Sequence, residues 1–168
     1  MGRNVGIALS FVAALAIGAS SLPDIGLPID GLTLANVRDS FSEVHSGHPH
    51  EAIDIMAPKG TPVHAVVSGS IRKLFLSKPG GNTIYEFDDT GVYCYYYAHL
   101  DRYAEGLREG MRVDRGSVIA YVGSTGNADP GAPHLHLAMF ELGSEKLWWK
   151  GTAVNPYPAL VAAMKKAK

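Results

Sequence analysis

The residues of this chain best suited to chemistry are its histidines, of which there are seven. In His50-Glu-Ala-Ile-Asp54-Ile, an imidazole and a carboxylate stand four residues apart. A helix would place both on one face, but Pro49, Pro58 and Pro62 bracket the run and Ile53 and Ile55 alternate, so a strand is expected. Four strand steps cover roughly 13 Å, near or beyond what an imidazole and a carboxylate bridge through one ion with bonds of about 2 Å. Shared ligation therefore demands a bend that folds His50 back toward Asp54. Without it the pair reads as an ion pair or as surface residues. Ala52, between them, is small enough to leave room for an ion. In Pro133-His-Leu-His-Leu, His134 and His136 share one strand face, and Leu135 and Leu137 share the other. Two steps are about 6.6 Å, so both rings can enter one cavity, one as ligand and the other beside the ligand's water. In Tyr95-Tyr-Tyr-Ala-His99-Leu, His99 shares strand parity with Tyr93, Tyr95 and Tyr97, with Cys94 on the opposite face. Alone, such a histidine reads equally as a hydrogen-bonded structural residue. Together these runs supply two neutral nitrogens, one carboxylate and two further histidines. That is the inventory of a hydrolytic zinc centre, where three protein ligands leave a fourth position for water. His45 and His48 compete weakly, because Pro49 holds their stretch extended and loop-like. His64, among valines, reads as a packed or rim residue.

The elements expected to position these residues are short strands. Gly and Pro are frequent, 19 and 10 of 168 residues, which suits tight turns and disfavours a helical bundle. Alternation marks strands over 63–67, 71–76 and 134–141. Thr83 to Phe87, a turn over 88–91, and Val92 to His99 read as a hairpin. Glycines at 110, 116, 123 and 126 punctuate further short strands. Ala159 to Lys168 is a helix candidate with its lysines at the carboxyl end, where cations suit the dipole, and reads as a solvated terminal helix. The expected fold is mainly β, a compact antiparallel sheet with barrel-like character. With 46% hydrophobic residues in 168, one core and one domain are expected.

Composition excludes other classes. A formal charge of −1 leaves no basic surplus for a phosphate backbone, so nucleic acid is not an expected partner. The single cysteine, Cys94, allows neither an internal disulfide nor a multi-thiolate metal site. Cys94 and His99 differ in parity, which argues against a Cys-His nucleophile. Ser124 lacks the Gly-x-Ser-x-Gly turn. Arg3, the apolar run from Val5 to Ala19 and the small residues after it have a signal-peptide layout. The expected organisation is therefore a signal or anchor over 1–21, an extended lead-in over 22–40, the domain over 41–160, and a tail over 161–168. The expected location is periplasmic or extracellular, with membrane association only through an uncleaved amino-terminal segment. A monomer is expected.

With HEAIDIMAPKGTPVHAVVSGSI, GGNTIYEF, YYYAHL, GMRVDRGSVIAYVGSTG, APHLHL and VNPYPAL in place, the sequence from about Asp39 to Leu160 resembles the lysostaphin-type, or LytM-like, zinc metallopeptidases of bacterial cell walls. The resemblance implies a groove whose floor carries Zn2+, with peptidoglycan peptides as substrate. It implies His50, Asp54 and His136 as zinc ligands and His99 and His134 as unligated catalytic histidines. The family often has Gly where Ala52 stands and a larger aromatic where Leu137 stands. Two other readings use the same pattern: a non-catalytic domain of this fold that activates a separate wall amidase, and a carrier domain of lipoyl or sugar-phosphotransfer type. The second lacks a lysine at an obvious hairpin tip.

Overall fold

The structure is a computed structural model that describes residues 22–45 and 47–167. The expected export segment, 1–21, lies outside the described residues. Among the described residues, eleven strands and one helix follow in order: β1 Val44–His45, β2 His48–Pro49, β3 Ile53–Met56, β4 Pro62–His64, β5 Gly69–Ser77, β6 Gly81–Asp88, β7 Tyr93–Tyr103, β8 Arg112–Val113, β9 Val118–Val122, β10 His134–Leu142, β11 Gly151–Val154 and α1 Tyr157–Lys166. The main sheet is antiparallel and runs β11-β10-β7-β6-β5-β8, with β3 added to β10, β9 to β7 and β4 to β9. It is mainly β, as expected, but the sheet is not closed. Its end strands, β11 and β8, are four and two residues long and do not meet. Residues of the short strands β3, β4, β8 and β9 share one core with those of the long strands β5, β6, β7 and β10.

Alternation decides which side chains enter that core. Ile53 and Ile55 of β3, Tyr95 and Tyr97 of β7, and Leu135, Leu137 and Met139 of β10 are fully buried in one cluster, each aliphatic worth about 1.5–3 kcal/mol. The hairpin joining β6 to β7 turns at Gly91, whose N–H reaches the Asp88 carbonyl, while Asp88 Oδ1 accepts from the Tyr93 N–H. β7 continues to Tyr103, four residues past the expected end. Two segments expected at the periphery join the core. Ile25, Ile29, Leu32 and Val37 of the lead-in are buried in it, and the Gly26 N–H bonds the Val66 carbonyl. α1 is not a solvated helix: Leu160, Ala163 and Met164 form an apolar stripe against the core, and Lys166 Nζ lies 2.6 Å from Asp24 Oδ1.

One buried acid has a consequence for stability. Glu86 is 0% exposed, and its Oε2 accepts from the Tyr97 hydroxyl at 2.6 Å, which in turn accepts from the Val66 N–H. Burial, against the Tyr97 hydrogen bond, pushes its carboxyl from 4.5 to about 8. Below pH 4.5 the folded and unfolded chains both hold this proton; between 4.5 and about 8 only the folded chain does. Stability from this group therefore falls as pH rises through that window, by up to about 1.4 kcal/mol per pH unit. Glu86→Gln has no proton to lose. Denaturant unfolding at pH 5 and pH 8 should show a smaller decline in the variant than in the wild type, and parallel declines would disprove the assignment.

Candidate active site

The bend demanded of His50 is present. Glu51 has φ of 53°, a left-handed conformation uncommon outside glycine, and it reverses the chain just before β3. The turn is pinned from both sides: the His50 N–H bonds the Glu43 carbonyl and the Glu51 N–H bonds the Phe41 carbonyl. His50 therefore folds over β3, and its Nε2 lies 3.1 Å from Asp54 Oδ1. His136 arrives by register. It is the direct cross-strand partner of Asp54 between β10 and β3, and such partners project from one face with adjacent Cβ atoms. His136 Nδ1 is 3.1 Å from Asp54 Oδ1 and 3.2 Å from His50 Nε2.

These three donor atoms fit a divalent cation. His50 Nδ1 lies 3.1 Å from the Ser40 carbonyl, which only accepts, so this nitrogen carries the proton and Nε2 of the neutral ring carries a lone pair. That lone pair faces a carboxylate oxygen and a second imidazole nitrogen, an arrangement of acceptors that asks for a positive charge between them. Bonds of about 2.0–2.1 Å to three corners of a tetrahedron place donor atoms roughly 3.3 Å apart, close to the spacing found. Burial raises the Asp54 carboxyl, but the His136 hydrogen bond and the facing His136, His50 and His134 outweigh it and hold the carboxyl below its ordinary range. Ser40 also accepts the Asp54 N–H at its Oγ and donates to the Ala52 carbonyl, so one residue sets both the His50 tautomer and the start of β3.

His134 and His99 stand beside this cluster. His134 Nε2 is 3.9 Å from Asp54 Oδ1, and its Nδ1 lies 2.9 Å from the Ala132 carbonyl. The His99 ring centroid is 4.8 Å from that of His134 and 5.6 Å from that of His136. His99 does not share the Tyr95 and Tyr97 face expected for it. It has φ of 60° at a bulge in β7, where Ala98 still pairs with β10 but Leu100 pairs with β9. The bulge inverts parity. Tyr95 and Tyr97 are core residues, and Tyr96, with Ala98, His99 and His136, lines a cavity of about 170 Å³. Cys94 thus shares the face of Tyr96. What removes it as a nucleophile is burial, which pushes its thiol up to about 12.

The His99 bulge is clamped. Its N–H bonds the Gly80 carbonyl and its Nδ1 lies 2.9 Å from the Thr125 carbonyl. Thr125 Oγ1 donates to the Leu100 carbonyl and accepts from the Asn82 N–H, while Asn82 Nδ2 donates to the Leu100 and Asp101 carbonyls. Asn82 lies in β6 and braces the bulge. Burial, outweighing the Thr125 hydrogen bond, lowers His99 to about 4, so its ring is neutral near pH 7. Sequence reasoning missed Ser40, Tyr96 and Thr125; for Thr125 the flanking Gly123 and Gly126 were the available signal. His48 is exposed on β2, and His64 bonds the Gly116 carbonyl through Nδ1, with Nε2 3.4 Å from Asp30. Among the described residues, the group of metal-ligating side chains within reach of one ion is His50, Asp54 and His136.

This arrangement and sequence have relatives. Residues 48–156, well over half of the chain, match peptidase family M23. An L-Ala-D-Glu endopeptidase of Bacillus subtilis is 31% identical over 95% of this chain and 50% of its own length. Lysostaphin of Staphylococcus simulans is 34% identical over 70% of this chain and 22% of its own length. The chain thus spans half or less of these relatives. The crystallised catalytic domain of lysostaphin superimposes with a TM-score of 0.59 at 35% identity, covering 68% of this chain and 81% of that domain. A zinc-containing peptidase of Vibrio cholerae gives 0.57 at 26% identity, over 70% of this chain and 37% of that one. With the family pattern carried on residues that the fold brings together, the chain belongs to peptidase family M23.

Proposed function

We propose that this protein is an exported zinc endopeptidase that hydrolyses peptide bonds in the stem or cross-link peptides of peptidoglycan. The observation that carries the reading is the mutual approach of His50 Nε2, Asp54 Oδ1 and His136 Nδ1 within 3.2 Å. These three would hold the ion. Zinc bound there supplies Lewis acidity that polarises the scissile carbonyl and activates water near neutral pH.

The remaining work falls to side chains. His99 and His134 each give their Nδ1 proton to a backbone carbonyl, of Thr125 and Ala132, so each neutral ring keeps a lone pair at Nε2. Either Nε2 can take the proton of attacking water and, once protonated, hydrogen-bond the oxyanion or return the proton to the leaving amine. The two carbonyls fix tautomer and ring plane before substrate arrives, which lowers the reorganisation needed at the transition state. Tyr96, its phenol raised by burial and by Tyr85 beside it, stays protonated and serves as groove floor. The reading as a non-catalytic amidase activator draws no support from this site, because all five positions carry side chains suited to catalysis.

The test is digestion of purified sacculi by zinc-loaded protein, followed by mass spectrometry of the released muropeptides. New peptide ends are expected. Zinc-loaded, folded protein that releases none overturns the proposal.

A further inference from the structure

One group of side chains on the active-site face has no part in this chemistry. A file of rings leads from His136 to the loop between β10 and β11. Successive centroids are 5.9 Å apart for His136 and Tyr96, 4.7 Å for Tyr96 and Tyr85, 4.7 Å for Tyr85 and Trp148, and 5.2 Å for Trp148 and Trp149. Register builds the first part: Tyr85 of β6 and Tyr96 of β7 are cross-strand partners. Tyr85, Phe140 and Trp148 pack on Phe87, Cys94 and Leu142, a second apolar cluster separate from the main core. Beyond it, Trp149 is 62% exposed, and Phe75, whose ring is 5.6 Å from Trp148, is 40% exposed. A cavity of about 280 Å³ opens among Tyr85, Phe140, Trp148, Trp149 and Lys150.

The shape and chemistry of this platform select its occupant. The Trp148 plane stands at 64° to Tyr85 and 79° to Trp149, so successive rings meet edge to face and form no parallel slot of the kind that holds an intercalated base. Exposed aromatics continuous with an active site mark a binding surface. Indole and phenol rings offer flat apolar area with a polar edge, and Lys150 borders the floor. The ligand that matches is itself flat, apolar on one face and hydroxylated at its rim. A pyranose ring has that form. Extended peptide advances at most about 3.3–3.6 Å per residue, so a few residues of peptide cover the distance from the zinc-ligand cluster to Trp148.

We propose that Trp148 and Trp149, with Tyr85, form a subsite for a pyranose of the glycan strand to which the cleaved peptide is attached. The subsite makes the enzyme select peptide still joined to sugar. The proposal rests on the peptidase reading above for its substrate, and the test separates the two. Zinc-loaded wild type, Trp149→Ala and Trp149→Phe are compared on a glycan-bearing muropeptide and on the same peptide without sugar. Trp149 is largely exposed, so its removal leaves the core packed. The ratio of kcat/KM for the glycan-bearing over the sugar-free substrate should fall about 10-fold in Trp149→Ala, the loss of one ring contact, and recover most of the way in Trp149→Phe. A ratio equal to that of wild type overturns the subsite even if both substrates are cut. A peptide-free N-acetylglucosamine oligomer supplies an arm independent of cleavage. It should change the tryptophan fluorescence of wild type saturably at millimolar concentration and change that of Trp149→Ala much less. If wild type cuts neither substrate yet binds the oligomer this way, the peptidase reading fails and the subsite stands; no saturable change in wild type overturns the subsite.

Discussion

His136→Ala is expected to lose both its zinc and its ability to release peptides from sacculi, whereas His134→Ala loses the second and keeps most of the first. The two residues are separated by one leucine on the same strand face, so sequence position alone would give them like effects. Geometry separates them. His136 Nδ1 lies within 3.2 Å of both other donor atoms, and its loss leaves two protein ligands where zinc uses three. His134 approaches Asp54 Oδ1 only to 3.9 Å, and the three-atom cluster forms without it. Removing one pre-placed proton donor or acceptor costs about 10²- to 10³-fold in kcat, so His134→Ala should be nearly inactive with metal in place. Metal content after gel filtration, measured beside muropeptide release, reads both quantities in one preparation. Equal zinc loss in the two variants would reverse the assignment of ligand and proton-handling roles.

Gly126→Ala should produce the complementary failure, with zinc retained and catalysis lost through His99. Gly126 has φ of 78° in the turn that brings Thr125 against His99. A methyl group there would collide with backbone atoms of Pro79, Gly80 and Gly81, which have no rotamer by which to yield. The Asn127 N–H bonds the Pro79 carbonyl and the His99 N–H bonds that of Gly80, so two loops and the bulge move together. Displacing a catalytic group by about 1 Å can cost about 10²-fold in rate. The ligands sit on β3, β10 and the bend before β3, outside these loops, so zinc content should stay near the wild-type level while kcat falls by that factor. Gly131→Ala is the matched control, since a methyl there meets nothing closer than the Asp129 side chain at 3.3 Å. If both alanine variants show the same activity, the clamp does not position His99.

Much of the site is legible in the residues because strand parity and spacing are local. His134 and His136 lie on one face with Leu135 and Leu137 in the core, as their alternation requires. The approach of His50 to Asp54 was readable only as a condition, because the bend rests on a left-handed Glu51, and nothing in a glutamate announces that conformation. The same limit applies to the parity read for His99. Counting alternate residues from His99 selects Tyr97 and Tyr95, and a single bulged residue moves the groove to Tyr96. The lead-in reads from sequence only as extended backbone, because its Gly and Pro break any period. Its isolated apolar residues, Ile25, Ile29, Leu32 and Val37, reach the core one at a time from irregular backbone, a pattern that periodicity cannot register. The antiparallel sheet follows from alternation, whereas its open edges depend on whether the end strands are long enough to pair with each other, which no local pattern registers.

The native sulfhydryl sits beneath Phe87 and Leu142, sealed from solvent and far from ionising at physiological pH. A maleimide dye or spin label directed to a cysteine engineered on the surface would therefore react there alone. Motions of the loops around the groove can be followed spectroscopically without first deleting any residue of the natural protein.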